Sequence, residues 1–124
     1  MPFSVNNFHF KSPDPRRSAQ WYIDNLGAEL SYERELSSIG TIAVRVELGG
    51  VPLMFTGFTT GQTSNQWYGL EHVGIYTSDL TATLASVEAS GGRVLEHFVN
   101  PYGQKGAFVE GPEGVRLEIT QKDE

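Results

Sequence analysis

The strongest constraint on how this chain can fold is an internal repeat. Asn7-Phe8-His9-Phe10-Lys11-Ser12-Pro13-Asp14 lies over His72-Val73-Gly74-Ile75-Tyr76-Thr77-Ser78-Asp79 at an offset of 65 (72 − 7). Each segment alternates as a strand does and ends on an Asp suited to cap a helix. Pro15 follows Asp14 at the first helical position, Ala19, Tyr22, Ile23 and Leu26 recur at helical spacing, and Gly27 closes the pattern. After Asp79 the matching stripe is Leu80, Leu84 and Val87, closed by Gly91-Gly92, so that Gly27 and Gly92 again stand 65 apart (92 − 27).

Three strand signals follow each helix, at about 28–36, 40–48 and 51–56 and then at about 93–99, 105–110 and 114–120. Gly49-Gly50 and Gly111-Pro112-Glu113-Gly114 supply the turns before the last strands. Gly50-Val51-Pro52-Leu53-Met54-Phe55-Thr56 aligns with Gly114-Val115-Arg116-Leu117-Glu118-Ile119-Thr120 at an offset of 64 (114 − 50). Residues 57–69, rich in Gly, Thr, Ser and Asn, read as a linker. The fold class is therefore α+β: two βαβββ modules, about 5–56 and 70–120 of a single 1–124 domain.

Composition removes several function classes. No cysteine is present, which excludes disulfides, thiolate metal sites and a cysteine nucleophile. The formal charge of −6, with nine Lys and Arg in all, argues against nucleic acid as a partner. The tight basic pair Arg16-Arg17 falls in a first helical turn and reads as a solvated face. No apolar run can span a bilayer, and the N-terminus lacks the basic and apolar segments of a secretion signal. A cytoplasmic location is expected. There is no phosphate-binding Gly-rich loop opening a helix and no nucleophile elbow.

The chain resembles the vicinal oxygen chelate superfamily, which includes glyoxalases, extradiol dioxygenases, epimerases and the bleomycin and fosfomycin resistance proteins. The residues that carry the resemblance are Ser12-Pro13-Asp14 through Trp21-Tyr22 to Leu26-Gly27, His72 through Asp79, and Gly111-Pro112-Glu113-Gly114 through Leu117-Glu118. It covers nearly the whole chain and specifies fold far more than chemistry. It implies a cupped mixed sheet with helices on its outer face, formed within one chain or from modules exchanged between two, together with a small-molecule ligand, a homodimer and, in many members, one divalent metal such as Fe, Mn, Ni or Zn. The family's metal positions map to Asn7, Met54, His72 and Glu118, of which His72 and Glu118 keep strong ligand chemistry.

Strand alternation assigns the faces. Phe8 and Phe10 are expected to pack on the first helix, and Asn7, His9 and Lys11 to face the cup. Ile42, Val44, Val46 and Leu48 form a packed face, leaving Ala43, Arg45 and Glu47 with Pro52, Met54 and Thr56 on the other. In the second module His72, Gly74, Tyr76, Arg116, Glu118 and Thr120 line the cup. His9 stands roughly 6–7 Å beyond Asn7, so His9, His72 and Glu118 form a candidate displaced metal triad; the alternative is that His9 is a polar ligand contact. Glu118, His72 and Glu47 are the candidate catalytic groups. Asn7, His9, Arg45, Met54 and Tyr76 are the candidate substrate contacts. Arg45 with Glu47 also reads as a structural ion pair. His97 and Tyr102 are left unoriented, and Trp67-Tyr68 would cover the cup or an interface. Two functions follow: a glyoxalase-like lyase or isomerase abstracting a proton from a small oxygenated substrate, or a metal-free ligand-sequestering protein of the bleomycin-resistance type. An extradiol dioxygenase is a weaker third.

Overall fold

Asp14 and Asp79 begin two helices in the same way. In the computed structural model, which describes residues 5–36, 40–57 and 70–123, the Asp14 carboxylate accepts the Arg17 N–H at 3.2 Å and the Asp79 carboxylate accepts the Ala82 N–H at 3.0 Å. These bonds satisfy donors that a first helical turn leaves open. The hydroxyl two residues earlier is repeated as well. Ser12 Oγ accepts the Asp14 N–H at 3.0 Å and meets Ser18 Oγ at 2.7 Å; Thr77 Oγ1 accepts the Asp79 N–H at 3.2 Å and meets Thr83 Oγ1 at 2.9 Å.

The chain divides into two compact units, Met1–Ser64 and Asn65–Glu124, and the division falls inside the expected linker. Unit 1 holds β1 (Phe8–Lys11), α1 (Pro15–Leu26), β2 (Glu29–Leu36), β3 (Thr41–Leu48) and β4 (Val51–Thr56). Unit 2 holds β5 (Val73–Thr77), α2 (Leu80–Ala89), β6 (Arg93–Val99), β7 (Lys105–Glu110) and β8 (Arg116–Gln121). Each forms a mixed four-stranded sheet, in the orders β1-β4-β3-β2 and β5-β8-β7-β6. The first strand pairs parallel with the last, and the other pairs are antiparallel.

The repeat extends to register. Phe8 pairs with Leu53 and Val73 with Leu117, the same match at offsets of 65 (73 − 8) and 64 (117 − 53). Both outer antiparallel pairs carry an irregularity at the same place, between Leu30 and Tyr32 and between Val94 and Glu96. Bulges of this kind bend a strand and increase its twist.

In unit 1 the core lies between α1 and one sheet face, where Tyr22, Phe55, Val46, Val44 and Leu53 are buried. Phe10, Tyr22 and Phe55 form an aromatic cluster with centroid separations of 5.2–6.1 Å. Phe8 does not join it, contrary to the alternation argument, and is 39% exposed. The helix lies over β3 and β4, and Phe8 begins the outer strand beyond that cover. In unit 2, Leu84 and Val87 of α2 are buried, as are Ala107, Val109, Leu117 and Ile119 of the sheet.

The second helix closes within the expected Gly91-Gly92 pair, but Gly91 rather than Gly92 is the counterpart of Gly27. The left-handed residue after α2 is Gly91 (φ 87°), the counterpart of Gly27 (φ 71°) at an offset of 64 (91 − 27). Gly92 serves close packing instead, since a Cβ there would sit 2.7 Å from Val87 Cγ1 and 3.2 Å from the Glu110 carbonyl oxygen. Trp67 and Tyr68 lie outside the described residues.

Candidate functional site

The sheet face turned away from α2 gathers the chemistry of unit 2. Its middle row is Gly74, Glu118 and Phe108, aligned across β5, β8 and β7. His72 directly precedes β5. Its Nε2 lies 3.5 Å from Glu118 Oε2, and its Nδ1 contacts the Glu71 carboxylate. Arg116 holds that carboxylate through Nη1 at 3.1 Å. The Arg116 guanidinium also stacks over the Phe108 ring at 4.2 Å, and the His72 ring meets Phe108 edge-on at 5.3 Å. Hydrogen bonding to His72, followed by the charge of Arg116, holds the Glu71 carboxyl below its ordinary range. His72 and Glu118 are each about one-third exposed, so both reach solvent.

The expected residues of unit 1 lie on the face turned away from α1. The equivalent row is His9, Met54 and Arg45. His9 Nε2 is bonded to the Thr56 hydroxyl at 2.6 Å. Arg45 Nε stands 3.9 Å from Glu47 Oε1, a loose pair along one strand, and Ser31 Oγ donates to the same oxygen at 3.4 Å. Asn7 precedes β1 and bonds Asn6 through its side-chain amide at 2.7 Å.

Comparison with known proteins decides the family. The model of the Glyoxalase/Bleomycin resistance protein/Dioxygenase superfamily matches residues 5–119. The chain belongs to this superfamily. Glyoxalase I from Zea mays is similar in structure with a TM-score of 0.79 at 18% identity, over 96% of this chain and 44% of that one. A glyoxalase family protein from Enterococcus faecalis gives 0.75 at 19% identity, over 95% and 97%. The E126Q mutant of the fosfomycin resistance protein FosX from Listeria monocytogenes, in complex with Mn(II) and 1S,2S-dihydroxypropylphosphonic acid, gives 0.77 at 10%, over 98% and 94%. No curated protein matches by sequence. The superfamily contains both enzymes and resistance proteins and binds small molecules, often with a divalent metal.

The superfamily's metal can be tested against these residues. Two ligand atoms about 2.1 Å from a tetrahedral ion stand roughly 3.4 Å apart, close to the 3.5 Å between His72 Nε2 and Glu118 Oε2. A carboxylate on the second ring nitrogen is the usual outer partner of a metal-bound histidine, and Glu71 occupies that position. The pair therefore fits half of a metal site. Among the described residues no group of three or more His, Cys, Asp or Glu could hold an ion. Phe108 and Glu71 were not singled out from sequence. Aligning β7 with β3 would have placed Phe108 opposite Glu118, because Arg45 pairs with Met54 as Phe108 pairs with Glu118. Glu71 lies before the strand, where alternation gives no face. Among the residues left unoriented, Tyr102 is 88% exposed and, like Tyr76, borders a cavity near Glu118, whereas His97 borders a groove beside α2.

Proposed function

We propose that this superfamily member is a glyoxalase-like enzyme, of lyase or isomerase class, that abstracts a proton from a small oxygenated substrate. The observation that carries the reading is the His72 imidazole set between two carboxylates, with the outer one gripped by Arg116. Glu71 accepts the Nδ1–H and leaves the Nε2 lone pair directed at the site. Nε2 takes the substrate proton, and the resulting imidazolium passes it to Glu118, which returns it to the product or leaving group. Arg116 and Phe108 hold this arrangement in place without touching the proton.

A divalent ion, where bound, would be held by His72 and Glu118 and would polarise a substrate oxygen. A third-ligand role for His9 would require it to give up its bond to Thr56 or to use its other ring nitrogen. The proposal extends to unit 1 by residue type alone: Glu47 as an alternate base, and Asn7, His9, Arg45 and Met54 as substrate contacts. Tyr76 is proposed as a contact in unit 2. A homodimer in the cytoplasm completes the reading.

The test is solvent-deuterium exchange into a panel of α-hydroxycarbonyl compounds, followed by proton NMR. The His72→Ala variant is expected to lose about 100-fold or more of the exchange rate. Unchanged exchange in that variant would overturn the reading. A second reading, a metal-free protein that sequesters a small molecule, is favoured by the lack of a third metal ligand among the described residues. It predicts tight binding with no turnover. Elemental analysis of protein purified without chelator separates metal-assisted from metal-free action. Metal retained by the wild type is expected to be lost in both His72→Ala and Glu118→Ala, and to be little affected by Asn7→Ala.

A further inference from the structure

The two copies of the module differ at one point in a way that opens a cavity. In unit 1 the His9 side chain reaches across to Thr56, whose hydroxyl it bonds at 2.6 Å. The counterpart of His9 is Gly74 and the counterpart of Thr56 is Thr120, at offsets of 65 (74 − 9) and 64 (120 − 56). Gly74 has no side chain to reach with. The Thr120 side chain is only 4% exposed and has no hydrogen-bond partner among the described residues. What occupies the equivalent space is a cavity of about 310 Å³, floored by Gly74, Glu118 and Thr120. This size falls within the range of small-molecule sites.

The rim of the cavity is built. Asn100 Oδ1 accepts the backbone N–H groups of Tyr102 and Gln104 at 3.0 and 2.9 Å, and Asn100 Nδ2 donates to Gln104 Oε1 at 2.9 Å. The Gln104 amide nitrogen is left as a donor, and Tyr76 and Tyr102 complete the wall. Among the described residues no Lys or Arg lines the cavity, and Glu118 is the one charged group that does. Lys122 is close by, but its ammonium sits on the Tyr76 ring at 4.6 Å.

We propose that this cavity is the substrate-recognition pocket of unit 2 and that it takes a small hydroxylated ligand without negative charge, best an amino alcohol. The ammonium would pair with Glu118, and ligand hydroxyls would pair with Thr120 and the Gln104 amide. A phosphonate or carboxylate would meet the Glu118 carboxylate with no cation among the described lining residues to offset it. The inference rests on the proposed enzyme reading for its role as a substrate pocket; the ligand class rests on the cavity alone.

The experiment is amide NMR titration of the full chain with three probes of one carbon skeleton: 3-amino-1,2-propanediol, glycerol and glycerate. The amine is expected to shift the amides of Gly74, Glu118, Thr120 and Asn100 through Gln104, glycerol to shift them more weakly, and glycerate least. Gly74→His restores the arrangement of unit 1 and should abolish the response. A Cβ at Gly74 meets nothing closer than Glu118 Oε1 at 3.8 Å, so the backbone accepts a side chain there. Thr120→Val, which keeps the side-chain shape, should weaken amine binding about fivefold and provides a second test if the histidine variant does not fold. Glycerate shifting these amides as strongly as the amine, or an unchanged response in both variants, would overturn the proposal. Amine binding that persists in His72→Ala without any His72-dependent exchange would sink the enzyme reading and leave the ligand class standing.

Discussion

Tyr22 illustrates how a residue can stabilise and cost at once. Its ring joins the Phe10–Phe55 cluster, yet its hydroxyl is buried without a partner among the described residues. Burial pushes the phenol well above its ordinary value. Tyr22→Phe keeps the ring and removes the stranded hydroxyl, and should stabilise the protein by about 1 kcal/mol, read from urea unfolding. The sign of the pH effect follows from the raised value. The neutral phenol's contribution is fully present below about pH 10, the ordinary tyrosine value, and is lost as pH rises from there through the folded-state value. The phenylalanine variant should therefore unfold less steeply in alkali, followed by circular dichroism. At this scale the candidate site was half legible. His72 and Glu118 announce themselves as good ligands on an expected inward face. Glu71 does not, because its role arises from a contact with its chain neighbour His72 and a tether to Arg116, 45 residues further along the chain (116 − 71), and neither has a periodicity.

Element boundaries were the most legible feature because they are set by local chemistry. Asp14 and Asp79 cap, Gly27 and Gly91 terminate, and the expected strands fall within two residues of those found. Replacing either aspartate by alanine should cost about 1 kcal/mol, measured by thermal or urea denaturation. The misreadings at this scale are tertiary. Gly91 and Gly92 look alike in a sequence, and only the approach of Val87 and the Glu110 carbonyl separates a left-handed residue from a close-packed one. Phe8 has the alternation of a core residue, but α1 does not extend over its strand end. Gly106 makes the same point within a strand. A Cβ there would sit 2.3 Å from Phe98 Cζ and 2.7 Å from the Ile119 carbonyl oxygen. The backbone oxygen cannot yield cheaply, so Gly106→Ala should destabilise by about 1–3 kcal/mol, again read from unfolding.

For the whole chain, the charge of −6 makes a simple prediction: no measurable binding to double-stranded DNA at physiological salt in a fluorescence anisotropy titration. Among the described residues no helix is long and apolar enough to cross a membrane. The broader lesson of the molecule lies in its two sheets. In each unit the side chains that hold the helix point one way, and the row His9–Met54–Arg45 or Gly74–Glu118–Phe108 points the other. A strand's period of two thus separates what keeps the protein standing from what it recognises. Caps, bulges and register have stayed alike between the copies, while the facing rows share no residue. Such a chain can diversify: one face conserves the architecture, and the other is free to explore new chemistry at little cost to folding.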